Sequence, residues 1–301
     1  MVDSLIKNLH AGDKKALARC ISLAENETPG YEQILQSLHF LNAATVLGVT
    51  GPPGAGKSTL INALVSELVK QGKKIAILAV DPTSPFNYGA LLGDRIRMSE
   101  HFTNEQVFIR SMASRGALGG LSPKIYEAVD ILKAAGFDYV IIETVGVGQS
   151  EVEIAGLADT TLVVMVPESG DEIQTIKSGV MEIADVFVVN KSDREGAETF
   201  YKNLILLAHS HAGKDWETPV VKTVAGSGQG VADLIQAIQA HQQSGQLHRK
   251  REFLLAEKAL HMIQAYRTRD IDKNKLRKEL AEQMTREGFN LYKYITRWYE
   301  H

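Results

Sequence analysis

The sequence predicts an α/β protein, a mainly parallel sheet enclosed between two layers of helices. Three observations carry this. Short runs rich in Val and Ile recur between about residues 45 and 225, apolar throughout rather than alternating. Helical stretches separate them. The first run leads directly into a glycine-rich loop and then into a helix. Strands buried on both faces of a parallel sheet read as continuous apolar runs. Regular strand–helix alternation then places ligand loops at the carboxyl ends of the strands.

In chain order, residues 3–40 read as helical, with Leu5, Ile6, Leu9, Leu17, Ile21 and Leu23 near helical spacing. A break at Ala11-Gly12-Asp13 suggests two helices, and Thr28-Pro29-Gly30 restarts the chain. The strand candidates are Thr45–Thr50, Ile75–Val80, Val107–Arg110, Tyr139–Glu143, Thr161–Val166, Val186–Asn190 and Pro219–Thr223. Helices are expected at Thr59–Gln71, Pro123–Ala135, Glu172–Glu182 and Glu198–His211. Residues 231–301 are helical and charged, with one apolar stripe at Leu255, Ala259, Met262, Ile263 and Tyr266 and a second at Leu276, Leu280 and Met284. This divides the chain into an N-terminal helical extension (1–43), a nucleotide-binding domain (44–240) and a C-terminal helical arm (241–301).

Composition bounds the function. The chain has 301 residues, 44% hydrophobic and 23% charged, values ordinary for a globular protein. A formal charge of −3 gives no support to a nucleic-acid partner. The single cysteine, Cys20, has no partner for an internal disulfide and no metal-ligand spacing around it; it reads as a buried helix residue. Apolar stretches of about eight residues are too short to span a bilayer. The N-terminus lacks a signal-peptide pattern, so a cytoplasmic protein is expected. His209 and His211 stand two apart and face different sides of a helix, and the run His248-Arg249-Lys250-Arg251 reads as a solvated helix face.

Four motifs carry chemistry, each at the end of a strand. Gly51-Pro52-Pro53-Gly54-Ala55-Gly56-Lys57-Ser58, followed by Thr59, fits the phosphate-binding P-loop. Its glycines let the backbone form a nest of N–H groups, and the helix that follows adds its dipole. Lys57 supplies charge to the β- and γ-phosphates, and Ser58 offers a hydroxyl to Mg²⁺. Glu143, three residues before Gly146, suits an acid that orients Mg²⁺ and a glycine N–H that senses the γ-phosphate. Asn190-Lys191-Ser192-Asp193 suits guanine reading. The Asp193 carboxylate can accept from the guanine N1–H and 2-amino group, a pattern that adenine lacks. Asn190 and Lys191 would tie this loop to the P-loop. Asp81 closes the second strand and could hold a magnesium-bound water. Asp94, with Arg95 and Arg97, could reach the metal and phosphates from a loop.

The blocks GPPGAGKSTLINAL, DPTSPFNYGALLGDRIRM, ETVGVGQSEVEIAGLAD and NKSD, in that order, resemble the methylmalonyl-CoA mutase-associated GTPases of the MeaB/ArgK type. The N-terminal stretch AGDKKALARCISLAEN resembles the same family, and the likeness covers about residues 3–235. The resemblance implies a GTPase that binds GTP and GDP with Mg²⁺. It further implies a chaperone assisting cofactor loading and protection of an adenosylcobalamin-dependent acyl-CoA mutase. It assigns nucleotide contacts to Gly51–Thr59 and Asp193, with the loop Val224-Ala225-Gly226 closing over the base. Magnesium falls to Ser58, Asp81, Asp94 and Glu143. Catalytic roles fall to Lys57, Asp94, Glu143 and Lys177, the last at the end of a third switch segment around Pro167–Lys177. The C-terminal helices are expected to form a homodimer arm.

Two positions depart from pattern. Val224-Ala225 stands where Ser-Ala is usual, and Val147 stands where Ras-like proteins place a water-positioning Gln; Gln149 lies two residues on. Slow intrinsic hydrolysis, raised by a partner, is the expectation. Two other readings compete. One is a metal-insertion GTPase for hydrogenase or urease, which the lack of His-rich or Cys/His sites disfavours. The other is a kinase of a periplasmic amino-acid-binding transport protein, which the guanine pattern of Asp193 disfavours.

Overall fold

Among the described residues seven parallel strands form one sheet, in the spatial order Val107–Ala113, Ile75–Asp81, Tyr139–Glu143, Thr45–Thr50, Thr160–Met165, Val186–Val189, Val220–Lys222. The computed structural model describes residues 2–40, 44–81, 98–114, 121–122, 124–144, 153–169, 178–211, 216–244, 246–286 and 288–298. The strands are β1 (Thr45–Thr50), β2 (Ile75–Asp81), β3 (Val107–Ala113), β4 (Tyr139–Glu143), β5 (Thr160–Met165), β6 (Val186–Val189) and β7 (Val220–Lys222). Leu47 of β1 stands opposite Ile141 of β4 on one side and Thr160 of β5 on the other. The chain winds outward from β1 in one direction and then in the other. The loop after β1 therefore sits at the topological switch point, where such sheets open a crevice at the carboxyl ends of their strands.

The expectation of strands buried on both faces holds. In β1 Leu47 and Val49 enter one hydrophobic core, and Val46 enters a second on the opposite face. In β4 Ile141 faces the first core, while Val140 and Ile142 face the second. Side chains alternate faces, so a strand with both faces covered needs an apolar residue at nearly every position. The first layer is built from the helices Lys57–Lys70 and Val231–Gln243. The second comes from Ile125–Ala134 and the N-terminal helices Val2–His10, Lys14–Glu25 and Tyr31–Gln36. Residues 3–40 thus hold three helices rather than two. Their residues Leu9, Leu17, Ile21 and Ile34 share one core with Val129 and Leu132. Asp13 caps the second of them, its carboxylate accepting from the Ala16 N–H at 2.7 Å. Cys20 is buried, and burial pushes its thiol up to about 11, so it is an inert packing residue.

Several boundaries shift. β3 runs on to Ala113, pairing residue by residue with β2. β7 shortens to Val220–Lys222, although the residues flanking it still bond to β6: Pro219 O accepts the Phe187 N–H and the Thr223 N–H donates to Val189 O. Of the helix expected at Glu172–Glu182, Ser178–Ile183 is observed and the rest lies outside the described residues.

The chain divides into two compact units, residues 1–254 and 255–301. In the second, Asp272 caps the helix Lys273–Gln283 by accepting from the Asn274 and Lys275 N–H groups, and Asn290 caps Leu291–Ile295. Of the two apolar stripes, Leu255, Ala259, Met262, Ile263, Tyr266 and Met284 are exposed, whereas Leu276 and Leu280 are half-buried. Among the described residues no helix is long and apolar enough to cross a membrane.

One expectation is overturned at Lys250 and Arg251, while the side chains of His248 and Arg249 lie outside the described residues. Lys250 and Arg251 are not a solvated face; they pair with acids at the amino ends of β5 and β6. Lys250 Nζ lies 2.5 Å from Asp185 Oδ2, and Arg251 Nε lies 2.7 Å from Asp159 Oδ1. The nearby Glu residues suggest self-neutralisation along the helix, but the partners are distant in sequence. The neighbouring His241 is buried, with Nδ1 2.9 Å from Thr160 Oγ1 and Nε2 3.2 Å from Asp185 Oδ1. Trp216 meets its ring edge-on at a centroid distance of 4.9 Å.

This cluster has a pH signature. Burial pushes the Asp185 carboxyl up, but the His241 hydrogen bond and the Lys250 charge override it and hold the group below its ordinary value. Folding therefore favours the ionised form. The stability it contributes is fully present above the unfolded carboxylate pKa of about 3.9 and is lost as pH falls through the lower folded value. Asp185→Asn is expected to destabilise the protein at pH 7, and the gap to wild type should narrow below about pH 4. Urea melts of both proteins across that range measure it.

Candidate functional site

The site grows from the end of β1. Thr50 is buried, and the chain turns sharply at Gly51 with φ 139°. A Cβ there would lie 2.0 Å from the Val164 carbonyl oxygen of β5, so only glycine lets the loop leave the sheet this closely. Gly54 and Gly56 also have positive φ, 77° and 85°. Gly56 is the N-cap of the helix Lys57–Lys70 and offers no side-chain cap. The first-turn N–H groups thus face the loop rather than a capping side chain, the arrangement that favours a bound anion.

Lys57 is only 8% exposed, and its ammonium donates to the carbonyls of Gly51 at 2.8 Å and Pro52 at 3.1 Å. The charge is held in the mouth of the loop by backbone oxygens. Ser58, also buried, donates from Oγ to Glu143 Oε1 at 2.7 Å. Glu143 is the last residue of β4, and the register brings it opposite Val49. The next residue, Thr144, donates from its N–H to Val49 O and from its hydroxyl to Thr50 Oγ1 at 3.0 Å. The β1 and β4 ends are thereby fixed side by side, and Ser58 and Glu143 meet although 85 residues separate them.

The second half of the site comes from the ends of β6 and β7. Asn190, 2% exposed, donates from Nδ2 to Ala55 O at 2.8 Å. Its Oδ1 accepts from Thr223 Oγ1 at 3.2 Å and from the Ala225 N–H at 3.1 Å. Lys191 has φ 55°, a left-handed conformation costly for a side-chain-bearing residue, and its ammonium reaches Gly54 O at 2.7 Å. One amide and one ammonium therefore hold three loops together. Around them opens a cleft of about 220 Å³ lined by Gly56, Thr59, Asn190, Lys191, Asp193, Arg194, Val224, Ala225 and Gly226. Asp193 is exposed on its wall.

The sequence pattern misses two of these participants. Thr223 buttresses Asn190, and Arg194 lines the cleft while pairing with Glu168 after β5. Arg194 could have been found as the neighbour of Asp193; Thr223 needs the parallel pairing of β6 with β7. Val224 and Ala225 both line the cleft, but the Ala225 N–H is already donated to Asn190. Asp94, Gly146, Val147, Gln149 and Lys177 lie outside the described residues, as does the side chain of Asp81 at the end of β2.

Known proteins share this sequence and fold. A family model described as methylmalonyl Co-A mutase-associated GTPase MeaB matches residues 17–279. A protein of Pyrococcus horikoshii, provisionally named a GTPase, is 47% identical over 271 residues, covering 87% of this chain and 86% of its own. The mitochondrial methylmalonic aciduria type A homolog of Caenorhabditis briggsae is 40% identical over 208 residues, 64% of this chain and 50% of its own. Among solved structures, one described as LAO/AO transport system kinase superposes with a TM-score of 0.72 at 26% identity. It covers 99% of this chain and 96% of its own.

Proposed function

The chain belongs to the methylmalonyl Co-A mutase-associated GTPase family, and from that premise we propose that it binds and hydrolyses GTP to control an adenosylcobalamin-dependent acyl-CoA mutase. The observation that carries the nucleotide part is the Asn190 junction. By joining Ala55, Thr223 and Ala225 it sets Asp193 on the wall of the same cleft that Gly56 and Thr59 line. A phosphate chain on the loop N–H groups would then leave the base beside Asp193.

The roles follow from chemistry. The N–H groups of residues 54–58 and the helix N-terminus take the phosphate oxygens. Lys57 exchanges its two carbonyl contacts for the β- and γ-phosphates. Asp193 accepts from guanine N1–H and the 2-amino group, and the aliphatic stem of Lys191 covers the ring. The buried hydroxyl–carboxylate pair of Ser58 and Glu143 is an all-oxygen donor set suited to a hard cation. Mg²⁺ keeps several waters and takes phosphate oxygens, so it needs few protein donors, of which Ser58 as ligand and Glu143 behind it would be two; the ion would neutralise charge on the transferring phosphoryl group. Asp81 and Asp94 are proposed to complete this shell, Gly146 to sense the γ-phosphate, and Lys177 to join Lys57, Glu143 and Asp94 in catalysis. Water attacks the γ-phosphorus, giving GDP and inorganic phosphate.

The mutase is proposed as partner because the family description names methylmalonyl Co-A mutase, and the name of the Caenorhabditis relative, which refers to methylmalonic aciduria, is in keeping with it. The exposed apolar residues of the second unit support a homodimer arm. A kinase reading, prompted by the transport system kinase whose structure superposes on this chain, fits less well. The Asp193 carboxylate would then face adenine N1, a second acceptor. The test is co-purification with an adenosylcobalamin-dependent acyl-CoA mutase while phosphate release is followed. The expected result is a complex and a GTP turnover raised at least about tenfold, as when a partner completes a GTPase site. Absence of a complex with GTP, GDP or no nucleotide would remove the mutase assignment.

A further inference from the structure

Opposite the nucleotide cleft, at the amino ends of the strands, Asp159 joins three parts of the fold. It is 3% exposed. Its Oδ2 accepts the Val46 N–H at 2.9 Å, on the strand that carries the P-loop. Both oxygens accept from one guanidinium, Arg251 Nε at 2.7 Å on Oδ1 and Arg251 Nη2 at 3.2 Å on Oδ2. The planar fork makes this a directional joint, which a lysine could not reproduce. Arg251 belongs to the helix Gln246–Arg267, in the stretch of it that lies within the first unit.

The chain just before Asp159 is wedged against β1. A Cβ on Gly48 would stand 2.5 Å from Ile154 Cγ1 and 2.9 Å from Ala158 Cβ, so these two side chains occupy the space over the strand. Ile154 and Ala158 are fully buried. The turn at Ile154–Gly156 therefore has no slack on the side facing β1, and close-packed interiors transmit such displacements rather than absorb them. A second tie anchors the same helix to β5 and β6, away from the strand that carries the P-loop. Asp185 takes Lys250 Nζ at 2.5 Å, His241 Nε2 at 3.2 Å and the Thr161 N–H at 2.7 Å.

We infer that Asp159 and Arg251 form a coupling joint through which the nucleotide state at the P-loop reaches the C-terminal helix. The inference rests on the guanine-nucleotide reading above. Arg251 is a positioning residue and is not among the residues that line the cleft. Its removal should uncouple the helix without weakening nucleotide binding.

Hydrogen exchange of the full chain, with GDP and with a non-hydrolysable GTP analogue, tests it. In wild type the amides of Gln246–Arg267 are expected to exchange about tenfold differently in the two states, a local opening effect. In Arg251→Gln the difference should fall below about twofold while both nucleotides keep their affinity. Should Arg251→Gln fail to fold, Arg251→Lys decides in its place, since it keeps the charge but not the fork and should reduce the difference by at least half. Equal exchange in the two wild-type states overturns the joint, as does a wild-type difference that persists in the variant. Titration of the same samples separates the causes. No nucleotide binding removes both readings, whereas binding without a helix response removes this one alone.

Discussion

Lys57→Ala is expected to lower affinity for GTP and GDP by at least about a hundredfold and to leave the protein folded. The ammonium is buried at the mouth of the loop, held by the Gly51 and Pro52 carbonyls. In the proposed complex it exchanges these neutral partners for phosphate oxygens. A hydrogen bond between ionised groups is worth about 1.5–3 kcal/mol, and two of them lost give about 3–6 kcal/mol, with tenfold for each 1.4 kcal/mol. Against this, the fold loses two bonds to neutral carbonyls, each a net contribution of about 1 kcal/mol, near a surface loop. Titration calorimetry should show the affinity loss, and a thermal melt should show a small shift. A large melt shift with unchanged affinity would mean that Lys57 is a structural clamp and not a phosphate ligand. The GTP hydrolysis rate should fall with the affinity, since in the proposed complex the same charge faces the γ-phosphate as it leaves.

Why this pocket can be anticipated, and where anticipation ends, follows from what each residue depends on. Gly51–Ser58 and Asn190–Asp193 are contiguous, and their chemistry is local: a turn, a helix start, a strand end. Their residue types therefore point to their roles without three-dimensional context. The strands are equally legible, because burial on both faces leaves an unbroken apolar run, as in Val186–Val189. The hydroxyl of Ser58 meeting Glu143 depends instead on β4 lying beside β1, an ordering that periodicity does not encode. Thr223 is a further case, since its support of Asn190 exists only through β6–β7 pairing. The basic run at Lys250-Arg251 misleads for the same reason. Local charge balance suggests solvent, whereas Asp159 and Asp185 supply partners 92 and 65 residues away in the chain. The segment Tyr31–Gln36 is read as helical after the restart at Thr28-Pro29-Gly30, but it is not counted as a separate third helix, since its N-cap, Gly30, carries no side-chain cap to signal a new start.

Asp193→Asn is expected to cut GDP affinity by about a hundredfold or more and to create affinity for xanthosine diphosphate, the larger qualitative change of the two. Guanine presents two adjacent donors, N1–H and the 2-amino group. A carboxylate accepts both, as a charge-assisted pair, and the cleft wall at Asp193 is open to receive them. The substituted amide keeps one acceptor, which still serves N1–H. Its NH₂ now faces the guanine 2-amino group, donor against donor, and one bond becomes a clash. Xanthine carries an oxygen at that carbon, so the same NH₂ finds an acceptor and the pair is restored. Adenine gains nothing, because its N1 is an acceptor and its C2 bears only hydrogen. Titration with the guanosine, xanthosine and adenosine diphosphates separates the outcomes. A preference that moves from guanine to xanthine shows that the side chain at position 193 reads the base edge directly. Unchanged GDP affinity would place base selection elsewhere in the cleft, on the backbone of Val224-Ala225-Gly226. The Asn190 junction should be untouched by the exchange, since its bonds run to Ala55, Thr223 and Ala225. The stability of the variant should therefore stay within about 0.5 kcal/mol of wild type, as for an exposed position. That separation matters: selectivity lost without stability lost assigns Asp193 to the ligand rather than to the fold.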